Sequence, residues 1–288
     1  MNTTMNTTSP TAVGIMQGRL LPPFDGRFQA FPARGWELEF AAARDAGLAC
    51  IEWIFEEPNQ DANPMASDAG HTALRSLISE TGVQVRSVCA DYYMTRRLIA
   101  PGGRIDETVA AHARWLMERA SRLKVSYIVL PFVDASSLAD TAERDAAAVL
   151  MADLAPEAAA AGLELHLETD LPPAMFAALL ERVGHPAVRA NYDIGNSASL
   201  GYDPTEELTT LAPWLGSVHV KDRRRGGGTV PLGTGDADFP TCFHLIRRAG
   251  FARPFILQAA RGEAGDEVAW ARQNRSFVER HMAVPAEG

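Results

Sequence analysis

From residue 36 onward the chain repeats one order of elements: an Ala- and Leu-rich stretch with helical spacing, a glycine at its end, then a short run of Val, Ile and Leu. Gly47, Gly82, Gly162, Gly184, Gly216 and Gly250 are the glycines, and each suits the left-handed position that follows a helix. The runs behind them, residues 49–54, 83–89, 163–168, 188–193, 217–221 and 254–258, read as strands. Two more complete the set: 13–16 near the start, and 127–130, entered through Lys124-Val125 without a glycine. Helices are expected over 36–46, 70–81, 106–123, 138–161, 172–183, 204–211, 238–249 and 266–282. Strands separated by helices pair in parallel, so the fold class is α/β, and eight such units close as a single (β/α)8 barrel. An open, doubly wound sheet is the competing topology. No G-x-G-x-x-G follows the first strand, which argues against its dinucleotide-binding form.

The connections are unequal. Helix-to-strand links are short, whereas 17–34, 55–68, 91–104 and 221–237 are long strand-to-helix links. Long loops gathered at one end of a barrel build a pocket where the strands' C-terminal ends open. No break in composition marks a second domain, so residues 12–284 are expected to be one barrel. Residues 1–11 (MNTTMNTTSPT) read as a disordered polar tail without the basic and apolar regions of a signal peptide, and 285–288 as a short C-terminal tail.

Charge narrows the partners. With 27 basic and 36 acidic residues the formal charge is -9, which disfavours general nucleic-acid binding. No apolar run approaches the ~18 residues of a membrane span. Cys50, Cys89 and Cys242 are far apart and show no CxxC spacing, so a disulfide framework or zinc knuckle is not expected, and a reducing cytoplasm fits.

Collecting only the polar residues at strand ends gives Gln17 and Arg19, Glu52, Cys89 with Asp91, Glu168, Asp193 with Asn196, His219 with Lys221 and Asp222, and Gln258 with Arg261. Glu168, Asp193, His219 and Gln258 come from strands five to eight, and closure of the barrel would point them at one centre. Carboxylates and an imidazole that converge suit a divalent cation. Each has a plainer role taken singly: Glu168 as a loop acid, Asp193 as a turn cap before Gly195, Gln258 as a core amide. Four coincidences at equivalent positions favour a site. His219 and Lys221 share the face of their strand opposite Val218 and Val220. Arg223 to Arg225, followed by three glycines, read either as a flexible basic arm beside the site or as a solvated loop. Trp53, Phe55, Tyr92 and Tyr93 suit an aromatic wall or core packing.

Three stretches carry a resemblance: NYDIGNSASLGYDP (191–204), SVHVKDR (217–223) and VPLGTGDADF (230–239). Through them the chain resembles the xylose-isomerase-like TIM-barrel superfamily of sugar and sugar-phosphate isomerases and epimerases, on the branch that contains L-ribulose-5-phosphate 3-epimerase. The resemblance implies that Glu168, Asp193 and His219 hold a divalent metal against two adjacent oxygens of an open-chain sugar, and that a strand-eight glutamate is the fourth ligand. FILQAARG places Gln258 there instead. An amide oxygen can bind a hard cation but carries no charge and takes no proton at neutral pH. The family's epimerases resemble two-base machines, and only the Glu168 base is retained; His166, Asp170 and Glu52 are candidates for the second. Abasic-site endonucleases of the same superfamily need more histidine and acidic ligands than seven histidines placed mostly elsewhere supply.

The expected function is therefore a metal-dependent isomerase or epimerase of a small sugar, sugar acid or sugar phosphate acting through an enediolate. Glu168 and Lys221 are the expected catalytic groups, Gln17, Arg19, Glu52, Asn196, Arg223 and Arg261 the substrate-binding ones, and Glu168, Asp193, His219 and Gln258 the ligands of Mn, Mg or Co in preference to Zn. A dehydratase or lyase using the same enolate, or a degenerate ligand-binding subunit, is the alternative. A homo-oligomer is compatible with the chain; nucleic acid and membrane are not expected partners.

Overall fold

The computed structural model describes residues 12–262 and 265–283, so both expected tails lie outside the described residues. Eight parallel strands close on themselves: β1 (Val13–Met16), β2 (Cys50–Ile54), β3 (Gln84–Cys89), β4 (Tyr127–Phe132), β5 (Glu164–Thr169), β6 (Val188–Asp193), β7 (Leu215–Val220) and β8 (Phe255–Leu257). Each pairs with its sequence neighbours, and β8 pairs with β1 through Val13 opposite Phe255. The barrel, not the open sheet, is the fold.

Eight main helices cover the outside: α1 (Leu38–Ala46), α2 (Asp68–Thr81), α3 (Glu107–Arg122), α4 (Thr141–Ala160), α5 (Pro173–Val183), α6 (Pro204–Leu211), α7 (Phe239–Arg248) and α8 (Glu267–Ala283). Side chains cap most of these starts, those of α1 and α5 excepted. Ser67, Asp106, Asp140, Asp203 and Asp238 each accept a backbone N–H from the first turn. At their ends Gly47, Gly82 and Gly184 take φ of 73°, 77° and 62°. Gly216 does not end a helix. It lies within β7, where a Cβ would come within 2.7 Å of the His166 ring, and a turn at Ala212–Trp214 does the terminating instead. The long loops carry elements that strand and helix periods do not reveal: short helices at Tyr92–Thr95 and Ile194–Leu200, and two-stranded hairpins pairing 99–100 with 104–105 and 222–223 with 229–230.

The apolar core lies between barrel and helices. Trp53 packs outward against Phe31, Trp36 and Phe40, with centroids 5.6 to 6.3 Å away. Phe55 and Tyr92 gather around His112, and Phe55 also meets Trp115. Neither group forms an aromatic wall around the central site, because the pleat that turns Glu52 inward turns Trp53 out.

The loop after β1 folds over the barrel mouth and is fastened by a buried carboxylate. Gly18 N–H donates to Glu39 Oε1 at 2.6 Å, and Glu39 is completely buried. Burial pushes its carboxyl from an ordinary 4.5 up to about 7 despite the backbone donors. A group raised on folding stabilises fully below its unfolded pKa, and that contribution is lost as pH rises through the folded value. Glu39→Gln should therefore remove part of the decline in Tm between pH 5 and 8 and exceed the parent protein's stability at pH 8, by on the order of 1–3 kcal/mol. Parallel Tm–pH curves for the two proteins would show that Glu39 does not titrate in this way.

Candidate active site

The C-terminal ends of β5, β6 and β7 bring Glu168, Asp193 and His219 together. One donor atom from each lies within 4.8 Å of the others, and all three side chains are buried. His219 Nδ1 is 3.7 Å from Glu168 Oε2 and 3.8 Å from Asp193 Oδ2. The register explains the convergence, since Asp193 stands opposite His219 on adjacent parallel strands.

Each ligand candidate is oriented from behind. His219 Nε2 meets Glu52 Oε1 at 2.7 Å, with both side chains fully buried. A carboxylate that accepts from Nε2–H leaves Nδ1 facing Glu168 and Asp193, the ring nitrogen that a metal would take in place of a proton. Glu52 thus stands behind the histidine. Asp193 divides its oxygens: Oδ1 caps the 194–200 helix by accepting the Asn196 N–H at 2.9 Å, and Oδ2 turns inward to Lys221 Nζ at 2.8 Å. The cap reading of Asp193 therefore holds, and it leaves Oδ2 facing the centre. Gly195 makes this approach possible, because a Cβ there would come within 2.7 Å of Lys221.

Glu168 Oε1 accepts from Asn196 Nδ2 at 2.8 Å, and Oε2 accepts from Asn191 Nδ2 at 3.3 Å. Burial, then Asp193, push its carboxyl up to about 7 against the pull of His219 and Lys221. Burial opposes the charged form of His219, yet Glu52, with Glu168 and Asp193 beyond it, raises the imidazole to about 9.

Gln258 and Asp91 are joined through Gln29. Gln258 Nε2 donates to Gln29 Oε1 at 3.1 Å, and Gln29 Nε2 donates to Asp91 Oδ2 at 2.8 Å. Gln258 Oε1 is buried with no protein partner. That free amide oxygen, the inward Asp193 Oδ2 and the fixed Nδ1 of His219 fit a hard divalent cation.

Other expected site residues have different surroundings. Gln17 is fully buried, and its Oε1 accepts from the Ile54 N–H at 3.0 Å, which staples β1 to β2. Arg261 spends its guanidinium on the carbonyls of Phe28, Leu21 and Gly18. Arg19 donates to the carbonyls of Ala259 and Phe28 and to Gln29 Oε1. Both arginines hold the 17–30 loop, each through three hydrogen bonds. The arm after β7 is pinned: Arg223 donates twice to the Gly227 carbonyl and once to Asn196 Oδ1 at 3.0 Å. Asp222 accepts from the N–H groups of Gly233, Gly235 and Ala237, which fixes the turn that follows.

None of the three residues expected as a second base stands free at the centre. His166 lies deeper in the barrel, with Nδ1 2.8 Å from Ser217 Oγ and Nε2 2.8 Å from Glu164. Asp170 takes the Ser137 hydroxyl, and Glu52 holds His219. A depression at the opposite end of the barrel is lined by Arg86, Lys124, Glu164 and Arg253; there Arg253 is committed to Glu164 through two bonds of 2.6 and 2.9 Å.

Sequence reasoning missed Asn191 and Gln29. Asn191 had a signal, being two residues before Asp193 and so on the same face of β6. Gln29 had none, because a loop has no period.

A model of the xylose isomerase-like TIM barrel family matches residues 40–281. The chain belongs to that family. It is 26% identical over 274 residues to L-ribulose-5-phosphate 3-epimerase UlaE of Escherichia coli, covering 88% of this chain and 93% of that one. Among solved structures, a xylose isomerase-like TIM barrel protein from Mycobacterium smegmatis in complex with magnesium superposes with a TM-score of 0.72 at 20% identity, over 95% of this chain and 97% of that one. An L-ribulose 3-epimerase gives 0.71 at 20% identity over 94% of each chain. These structural likenesses establish the shared barrel. Among the described residues no helix is long and apolar enough to cross a membrane.

The placement of Glu52 yields a prediction of its own. Glu52→Gln removes the charge behind His219 while keeping an acceptor, and Mn affinity measured by calorimetry should fall about 10–100-fold. An unchanged affinity would mean that Glu52 does not tune the imidazole.

Proposed function

We propose that the protein is a metal-dependent isomerase or epimerase of a small sugar, sugar acid or sugar phosphate. The observation that carries this reading is the trio of Glu168, Asp193 and His219 at adjacent strand ends, with Glu52 behind the imidazole. Membership of the family and the likeness to the ribulose-phosphate epimerase support a sugar substrate.

Glu168, Asp193, His219 and the amide oxygen of Gln258 would hold Mn, Mg or Co, in preference to Zn because three of the four donors are hard oxygens. The cation would lower the cost of negative charge on a substrate carbonyl oxygen. Glu168 is the base: its carboxylate, buried beside Asp193 and His219 at the end of β5, is placed to take the proton next to a carbonyl and give it back, passing through an enediolate. Asn196 and Asn191 hold the two Glu168 oxygens in place. Lys221, bound to Asp193 and 3.3 Å from Asn196 Oδ1, is the nearest ammonium for returning a proton to oxygen. Arg223, through Asn196, is the cation beside the site for a phosphate or carboxylate on the substrate.

Because Gln258 cannot take a proton and the three other candidates are engaged, abstraction and return use the same carboxylate. That favours transfer on one face, as in aldose–ketose isomerisation, over inversion at a carbon. The experiment is a screen of keto-sugars and their phosphates, with added Mn, for uptake of solvent deuterium at the carbon next to the carbonyl. Uptake with Mn and none after its removal supports the reading; no uptake from any sugar or sugar phosphate would reject it.

A further inference from the structure

Gln258 departs from the glutamate expected at its position, and what surrounds it determines how its amide must lie. Two groups of unambiguous polarity touch Gln29. Arg19 Nη2, which can only donate, lies 3.2 Å from one end of the Gln29 amide, and the Asp91 carboxylate lies 2.8 Å from the other. Both give the same answer: Gln29 presents its oxygen to Arg19 and its NH2 to Asp91. Asp91 is fixed in turn by Cys89, whose thiol donates to its second oxygen at 3.2 Å. Gln258 meets the oxygen of Gln29 at 3.1 Å, so the atom it offers there must be its NH2. Its own oxygen is therefore turned away from Gln29, and that atom is buried and without a protein partner.

We propose that Gln29, held by Asp91 and Arg19, is a positioning residue that fixes the Gln258 amide with its oxygen toward the divalent-cation site. The inference rests on the cation-binding reading of Glu168, Asp193 and His219. It carries a consequence for residue 258 itself. A glutamate there has no NH2, so one of its oxygens would face the Gln29 oxygen, acceptor against acceptor. Arg19 cannot leave to relieve this, because its other nitrogens are bound to the carbonyls of Ala259 and Phe28. The amide at 258 and the amide at 29 belong together.

The test is the Mn affinity of the purified full chain, by calorimetry, for the parent, Gln29→Leu, Gln258→Glu and the double variant. With Gln at 258, Gln29→Leu frees the amide and should weaken Mn binding about fivefold. With Glu at 258, the same Gln29→Leu removes the opposing oxygen and should tighten binding about tenfold. General damage from the leucine cannot strengthen binding in one background and weaken it in the other. If Gln29→Leu shifts affinity in the same direction in both, the proposal is overturned. Gln29→Met, closer in shape, replaces the leucine variant should that one not fold. Asp193→Asn separates this result from failure of the underlying reading: retention of full Mn affinity by that variant would place the cation elsewhere and overturn both.

Discussion

Asp193→Asn should bind Mn so weakly that the rise in Tm on adding the metal disappears. A ligand that binds only the native state stabilises by RT ln(1 + [L]/Kd), about 2.7 kcal/mol at a hundredfold excess over Kd. The parent protein should show that increment as a concentration-dependent Tm. Asparagine at 193 keeps the oxygen that caps the 194–200 helix, a contact worth about 1 kcal/mol, but loses the negative charge at Oδ2. Thermal melting without metal should therefore change little while the metal-dependent increment is lost. Asp193→Ala loses both. A Mn-dependent rise of full size in Asp193→Asn would remove Asp193 from the ligand set.

Glu168→Gln should abolish solvent-deuterium exchange into any substrate found by the screen, with a fall of about 10³-fold at saturating Mn, the scale of a lost general base. Gln has nearly the shape of Glu, and its oxygen can still accept from Asn196, whose bond to Glu168 is 2.8 Å. What disappears is the capacity to take a proton. The metal occupancy of the variant must be measured alongside, because Glu168 is also one of the candidate ligands. Exchange within tenfold of the parent in metal-loaded Glu168→Gln would assign proton transfer to another group, with Lys221 the first to test.

The site and its supports differed in how far they could be read in advance. Glu168, Asp193 and His219 were visible because parallel strands impose a period of two and a common direction. A polar residue at the open end of an otherwise apolar strand therefore identifies itself. Gln258 was visible for the same reason. Arg19 and Arg261 were legible as cations at strand ends, but their pairing with loop carbonyls depends on how the 17–30 loop folds back, and loop paths carry no period. The triple arginine looked mobile because three glycines follow it; a hairpin with Thr229–Val230 and the carbonyl of Gly227 hold it instead.

The sequence by itself favoured the closed eight-stranded barrel over an open sheet and picked out Glu168, Asp193 and His219, which the structure brings together at one end of it. Those follow from local rules: alternation along strands, helix spacing, and glycine where φ must be positive. Only the tertiary structure decided what stands behind each of these residues. Glu52 and His219 are 167 residues apart, Gln29 and Gln258 are 229 apart, and their contacts of 2.7 and 3.1 Å exist only because the barrel closes. Hydrogen bonding is short-ranged and directional, so which nitrogen of an imidazole or which end of an amide faces the centre is settled by such distant partners and by nothing in the neighbouring sequence.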